Sequence, residues 1–211
     1  MALAAIDLYN VKIVPAATPM TIFLILAPYG AFTTLMLMTS ATVSLLTAAL
    51  VCSATIAFDV CRGRSVKILA TASAMLFAAI AAYLNLMDPS ISDKAVRLAV
   101  DIGIFAISLG SMLVRYPFTM QYALEAVPAE IAAMPGFLRA NYIITSVWTM
   151  AALMMMLANA AILYVPALPI WLGLAVAFAA RNSAVFFTKW YPAYHRMKQG
   201  IPPPNALPKA H

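Results

Sequence analysis

The chain has 211 residues, of which 64% are hydrophobic and only 9% are charged. A soluble domain carries about 25% charged residues, so this chain has too few polar side chains to cover a globule in water. A bilayer core of about 30 Å takes roughly 20 apolar residues per helix, which leaves room for about five or six spans and for no separate soluble domain. The composition therefore predicts an all-α, polytopic integral membrane protein.

The net charge of +6 does not predict nucleic-acid binding, because the basic residues lie between the apolar segments and do not form one face. Cys52 and Cys61 are predicted to be reduced thiols, not part of a disulfide framework. Both histidines follow the last apolar segment, and no motif of a metal site, a cofactor site or a catalytic centre occurs. We therefore expect no metal, no cofactor and no enzymatic activity.

Six apolar segments are predicted to be membrane helices rather than barrel strands, because none of them alternates between polar and apolar residues. Pro28-Tyr29-Gly30 is predicted to be a turn between the first two. The first segment is short and proline-rich, so both five and six spans remain open. One membrane domain is expected over residues 1–192, and a proline-rich cytoplasmic tail over 193–211. The segments are Val14–Ala27, Ala31–Phe58, Val66–Met87, Ala95–Val114, Asn141–Tyr164 and Ala167–Phe187.

The basic residues predict the orientation of the chain in the membrane. Eleven of the thirteen Lys and Arg residues fall on one side of the predicted topology, and only Lys94 and Arg97 fall on the other. Basic residues accumulate on the cytoplasmic side of bacterial membranes, so both termini are predicted to be cytoplasmic. If the first segment only dips into the membrane, the N-terminus lies outside instead.

The stretch "VRYPFTMQYALEAVPAE" interrupts the apolar pattern and predicts a cytoplasmic connection over residues 115–140. Its amphipathic part is expected to lie along the membrane interface, with Phe118, Tyr122 and Val127 toward lipid and with Gln121 and Glu125 toward water. The same segment is a candidate surface for a protein partner, through Arg115, Pro117, Phe118, Gln121, Tyr122 and Glu125.

Polar residues inside the predicted spans follow helical faces. At about 100° per residue, the polar residues of the fourth span share one line, and so do those of the fifth, so these two faces are expected to meet. Arg97 and Asp101 are spaced to form an ion pair. Two interpretations remain open, namely hydrogen bonds that hold the helices together and a polar cavity or proton path around Asp101. The set comprises Arg97, Asp101, Ser108, Ser111, Asn141, Thr145, Trp148 and Asn159, with Arg181 and Asn182 expected near the cytoplasmic end of the sixth span.

The second half of the chain resembles the intracellular septation protein A family of bacterial inner-membrane proteins. The resemblance is carried by "RYPFTMQYALEAVP" and by "FLRANYIITSVWTMAALMMMLANAAILYVPALPIW", whereas the first half matches more loosely. Related proteins place an arginine directly before the proline, whereas Tyr116 separates Arg115 from Pro117 here. The resemblance implies a protein of the inner membrane that is linked to cell division and envelope maintenance.

Three functions are compatible with these observations. The first is a non-enzymatic envelope or septation protein that acts through membrane-protein partners or as a homo-oligomer. The second is a small-solute or proton transporter, or a channel, with a polar path between the fourth and fifth spans. The third is an accessory subunit of a larger membrane complex. All three place the chain in the lipid bilayer of the bacterial inner membrane.

Overall fold

The computed structural model describes residues 19–127 and 129–198. This part of the chain is entirely helical apart from turns and connecting loops, and it contains no strand. The helices are α1 (Pro19–Leu35), α2 (Ala41–Cys61), α3 (Ile68–Leu86), α4 (Asp93–Leu113), α5 (Phe118–Leu124), α6 (Ala129–Ala132), α7 (Pro135–Tyr164) and α8 (Ile170–Lys198).

Five of the described helices are long and apolar enough to cross a bilayer, and α1 is a shorter apolar helix beside them. At about 1.5 Å per residue, a helix of roughly 20 residues reaches the thickness of the hydrocarbon core. This confirms the prediction of an all-α, polytopic membrane protein. The spanning stretches are Ala41–Cys61, Ile68–Leu86, Asp93–Leu113, Gly136–Tyr164 and Ile170–His195.

The predicted end of the first helix and the predicted extent of the second helix are wrong. Residues Pro28 to Gly30 lie within α1 and not in a turn, and the expected helix over 31–58 is broken after Leu35. The Leu35 carbonyl accepts hydrogen bonds from the backbone N–H of Met38 at 2.9 Å and from the Thr39 hydroxyl at 2.9 Å. The Ser40 hydroxyl then accepts from the Val43 N–H at 3.4 Å and begins α2. Polar capping therefore ends and restarts the helix inside an apolar run.

Consecutive long helices pack side by side: α1 on α2, α2 on α3, α3 on α4, α4 on α7, and α7 on α8. Ile25 and Pro28 of α1 share a cavity with Asp59 and Arg64 at the end of α2, so these two helices run antiparallel. The loops 36–40, 87–92 and 165–169 consequently lie at one end of the bundle. The loop 62–67 and the connection 114–134 lie at the other end, together with the end of α8.

The core between α1 and α4 is built around Phe77, whose side chain is fully buried. The rings of Tyr29 and Phe32 lie 6.1 Å and 5.6 Å from it. The interface of α7 with α8 uses small residues such as Ala152 and Ala184, which let the helix backbones approach closely.

The connection after α4 begins with a residue in the left-handed conformation. Arg115 has φ 59°, and its N–H donates to the Met112 carbonyl at 3.0 Å while the Tyr116 N–H donates to the Ser111 carbonyl at 3.0 Å. This pair of bonds is a Schellman motif, in which glycine usually occupies the position of Arg115. The motif turns the chain so that the buried Pro117 can lead into α5.

The predicted boundary between the membrane domain and the tail at residue 192 falls inside a helix. Helix α8 continues through Pro192 to Lys198. A transmembrane helix tolerates an internal proline when other groups satisfy the freed carbonyl. The predicted extended tail from residue 199 onward lies outside the described residues, and so do Lys12 and the beginning of the first apolar segment.

The orientation can be tested with reporters in two loops at opposite ends of the bundle. Alkaline phosphatase, which is active only after export, is expected to be active when inserted after Ser90 and inactive when inserted after Gly63. The physical reason is that Arg62, Arg64 and Lys67 favour the cytoplasmic side. A fluorescent protein that folds only in the cytoplasm provides the reciprocal control at the same two positions. The reverse pattern of activity would contradict the predicted orientation.

Candidate functional site: a polar centre within the helix bundle

Four helices bring charged and polar side chains into one cavity inside the bundle. Arg97 and Asp101 of α4 are 9% and 8% exposed, and they line this cavity together with Asn159 of α7 and Arg181 of α8. Helix α1 closes the cavity with residues that include Tyr29. The cavity volume is about 30 Å³, which is enough for a water molecule but not for a larger solute. We call these lining residues the polar centre.

The expected meeting of α4 and α7 occurs at one hydrogen bond in the polar centre. The Asn159 amide donates to the Asp101 carboxylate, with 2.5 Å between Nδ2 and Oδ2. Gly173 of α8 lies beside this contact, and a Cβ atom there would be 2.6 Å from Ile162 Cδ1 and 3.3 Å from Asn159 Oδ1. The absence of a side chain at Gly173 therefore lets α8 approach the amide of Asn159.

The predicted ion pair between Arg97 and Asp101 is not formed. The described residues contain two ion pairs, Asp59 with Arg64 and Lys67 with Glu125. The Arg97 guanidinium instead donates to the Met36 carbonyl at 3.0 Å, and its Nε atom is buried with no partner among the described residues. The carbonyls at the end of a helix have no intrahelical partner. The end of α1 therefore competes successfully for the guanidinium.

Arg181 lies deeper in the bundle than the sequence indicated. It was expected near the cytoplasmic end of the last span, but it lies close to the middle of the spanning stretch Ile170–His195. It lines the polar centre, an apolar cavity beside Trp148 and a groove between α1 and α8. Within the described residues its guanidinium forms neither a hydrogen bond nor an ion pair. A cation in this position is costly, because the bilayer core offers it no water.

A second polar cluster lies at the end of the bundle that contains loop 62–67. The ammonium group of Lys67, which is 2% exposed, donates to the Glu125 carboxylate and to the Ser65 carbonyl and hydroxyl, both at 3.0 Å. Gln121 accepts from the Ile68 N–H at 2.7 Å, which satisfies a free donor at the start of α3. Partial burial raises the pKa of Glu125, but the hydrogen bonds from Lys67 and Ser65 outweigh it and hold the pKa below its usual value.

Tyr29 connects the polar centre to this second cluster. Its hydroxyl lies 2.7 Å from the Ser73 hydroxyl, and its side chain lines both the polar centre and the cavity that contains Lys67, Glu125 and Thr55. The sequence did not single out Tyr29, because it was assigned to a turn. Ser73 and Lys67 were missed as well. The sequence did contain one signal of a buried and paired cation, because Lys67 stands directly before an apolar helix.

The amphipathic segment does not lie with Phe118 toward lipid. Phe118 is 3% exposed, and its N–H donates to the Ser111 hydroxyl at 3.2 Å. Thr119 fixes α5 to α7, since its hydroxyl lies 2.7 Å from the Thr145 hydroxyl and donates to the Asn141 carbonyl at 3.1 Å. The predicted polar face of α7 thus docks α5 at one end and meets Asp101 at the other.

The candidate partner-contact residues are used mainly within the chain itself. Pro117 and Phe118 are buried, and Gln121 and Glu125 bond to the residues 65–68. Tyr122 lies with its ring 5.6 Å from the Lys67 ammonium. Arg115 remains exposed. The segment therefore closes one end of the bundle.

The remaining predicted polar residues lie apart from the polar centre. Ser108 is buried, and its carbonyl accepts from the Ser111 hydroxyl at 2.7 Å. The Trp148 indole donates to the Thr188 hydroxyl at 3.0 Å. Asn182 is exposed and donates to the Phe178 carbonyl of its own helix at 2.7 Å. The predicted network is therefore divided into separate local contacts, and four of its members, Arg97, Asp101, Asn159 and Arg181, line the polar centre.

The described part of the chain contains no cluster of three or more His, Cys, Asp or Glu side chains that could hold a metal ion. Comparisons with protein-family models, with curated proteins and with solved structures found no match to this chain. The fold and the buried charges define it as a multi-pass α-helical membrane protein with a polar centre.

The Lys67–Glu125 pair leads to a test of stability. Glu125→Gln is expected to lower the free energy of unfolding by about 2 kcal/mol at pH 7, because it leaves the buried ammonium without its counter-charge. The folded-state pKa of Glu125 is lowered, so its stabilisation is present above the unfolded pKa of about 4.3 and is lost as the pH falls through the folded value. The measurement is denaturant unfolding in detergent at pH 7 and in acid.

Asp88→Asn provides the matched control for this test. Hydrogen bonds from Ser90 also lower the pKa of Asp88, but this carboxylate lies in the exposed loop between α3 and α4. Its replacement is expected to change stability much less. Equal stability of the parent and Glu125→Gln at pH 7, or a difference that stays constant into acid, would contradict the stabilising role of the pair.

Proposed function

We propose that the chain is a protein of the bacterial inner membrane that moves protons through its polar centre. The observation that carries the proposal is the shared cavity of Arg97, Asp101 and Arg181, in which neither cation is paired with the carboxylate. A purely structural set of buried charges is stabilised by direct pairing and full hydrogen bonding. Buried charges that lie near one another without forming ion pairs favour a site through which protons pass over a purely structural role.

The size of the cavity favours protons over larger solutes. About 30 Å³ holds a water molecule between polar side chains, and such a water can relay a proton. Asp101 is the acid that lines this cavity, and Asn159 fixes one of its oxygens. The other titratable groups that line the cavity are Arg97, Arg181 and Tyr29.

A route toward the cytoplasmic side is also available. Tyr29 lines the polar centre on one side and the cavity with Thr55, Asp59 and Glu125 on the other. Its hydroxyl is bonded to Ser73, and hydroxyl groups both donate and accept hydrogen bonds. The proposed path therefore runs from Asp101 past Tyr29 to the cluster around Lys67.

The proton path is tested by flux measurements in proteoliposomes that contain a pH-sensitive dye. Under a potassium diffusion potential, the parent protein is expected to change the internal pH faster than empty liposomes do. Asp101→Asn is expected to abolish this flux, because the amide keeps the size of the side chain but cannot take up a proton. A parent protein that is no faster than empty liposomes, or an Asp101→Asn variant that equals the parent, would refute the proposal.

Ser53→Ala is the matched control for Asp101→Asn. Ser53 is exposed on α2, and its hydroxyl donates to the Ala49 carbonyl of the same helix at 2.9 Å. Its replacement leaves the polar centre untouched, so flux is expected to remain at the parental rate. Thermal unfolding of each purified variant then separates a loss of function from a loss of fold.

A second candidate function is an envelope or septation protein that acts through partners. The resemblance of residues 115–190 to septation protein A favours it, and so does an exposed aromatic row at the end of α8. Trp190 and Tyr194 are 43% and 42% exposed, and their rings stack 5.1 Å apart. Such a row suits the membrane interface and the contact with another membrane protein.

This second function predicts a phenotype in the host cell. Deletion of the gene is expected to disturb division, septum placement or resistance to membrane stress, because the partner loses its contact. Microscopy and growth under membrane stress measure this effect, with the parental gene on a plasmid as control. Normal cells under both conditions would count against this function. Purification in mild detergent of a monomer or homodimer alone would count against an accessory subunit of a larger complex.

A further inference from the structure

A groove of about 600 Å³ lies between α1 and α8 and opens at the side of the bundle. This volume is within the range of about 300–1,000 Å³ that small-molecule sites occupy. Its walls are mainly apolar, with Leu26 on α1 and with Leu174, Phe178 and Val185 on α8. In a membrane protein, an opening at this level faces the lipid chains.

The floor of the groove carries a positive charge. Arg181 lines both the groove and the polar centre, as do Thr33, Leu174 and Ala177, so these two spaces lie side by side and Arg181 is the charged residue between them. Its guanidinium has no hydrogen-bond or ion-pair partner among the described residues. Asn182 and Thr33 add polar groups to the lining.

The polar centre lacks one negative charge. Arg97 and Arg181 contribute two positive charges, and Asp101 contributes one negative charge. Asp93, another acid on α4, is exposed at the first position of that helix. Arg97 is only 9% exposed, and its buried Nε atom has no hydrogen-bond partner among the described residues. A carboxylate or phosphate group matches a guanidinium in both charge and hydrogen-bond geometry.

We propose that this groove binds an anionic amphiphile, whose apolar chain lies between α1 and α8 and whose carboxylate or phosphate end is bound by Arg181. The apolar walls select a ligand that arrives from the lipid, since a free inorganic anion would have to cross hydrocarbon to reach Arg181. The inference rests on the proposed function and deepens it by naming the class of ligand that binds to Arg181 at the edge of the polar centre.

The test uses the full chain in nanodiscs of phosphatidylcholine, which carries no net charge. The probe is 11-(dansylamino)undecanoic acid, and its methyl ester is the neutral counterpart. Binding is measured as energy transfer from the tryptophans to the dansyl group, relative to empty nanodiscs. The acid is expected to bind, and the ester is expected to bind about 10-fold to 100-fold more weakly, because it makes no charge-assisted hydrogen bonds.

Two substitutions divide the site into its polar and apolar parts. Arg181→Gln is expected to weaken binding of the acid about 10-fold to 100-fold and to leave the ester unchanged. Gly30→Leu is expected to block both probes, because the Cβ at Gly30 points into open space along the groove. Gly110→Leu is the matched control, since a Cβ at Gly110 also meets nothing within 4 Å and Gly110 does not line the groove. It is expected to bind as the parent does.

Several outcomes would overturn the inference. These are equal binding of acid and ester, unchanged binding in Arg181→Gln, and no binding of the acid to the parent. Displacement of the probe by acetate at the same concentration as by undecanoate would indicate a site for free anions instead. The assay needs no proton gradient, so binding without flux refutes only the proposed function, and flux without binding refutes only the inference.

Discussion

The hydrogen bond between Asn159 and Asp101 shows the constraint that governs the whole bundle. Hydrocarbon offers no partner to a polar group, so polar side chains within the spans are stabilised by partners inside the protein. The 2.5 Å contact ties α4 to α7, although the helices α5 and α6 lie between them in the sequence. The same constraint draws the Arg97 guanidinium to the free carbonyl at the end of α1.

The same constraint also explains why the polar segment after α4 closes one end of the bundle. Phe118 fills an apolar position, Thr119 bonds to α7, and Glu125 neutralises the buried Lys67 at the start of α3. Each of these contacts joins residues far apart in the sequence. Residues 115–126 therefore link α3, α4 and α7 on the side of the membrane to which the basic loops point.

Composition and hydropathy predicted the fold class and the positions of most spans, because the length of an apolar run follows directly from the bilayer thickness. They failed at Pro28 to Gly30 and at Met36 to Ser40. Residues that are typical of turns, such as Pro28 and Gly30, can lie within a membrane helix, whereas two polar residues such as Thr39 and Ser40 can cap and end one. Helical spacing placed Asp101 and Asn159 on faces that meet. It did not predict the partner of Arg97, because spacing within one helix says nothing about a carbonyl that another helix supplies.

Arg181 shows most clearly why the sequence alone does not predict the polar centre. In the sequence it is one cation in the last span, and its distance from the end of the apolar run places it near the membrane surface. The packing of α8 against α7 brings it instead to the boundary between the polar centre and the lateral groove. Asp101 in the same cavity stabilises the cation there, and the proposed anionic ligand supplies a second counter-charge. Its position therefore places one charge of the polar centre at the groove in which we propose that an amphiphile binds.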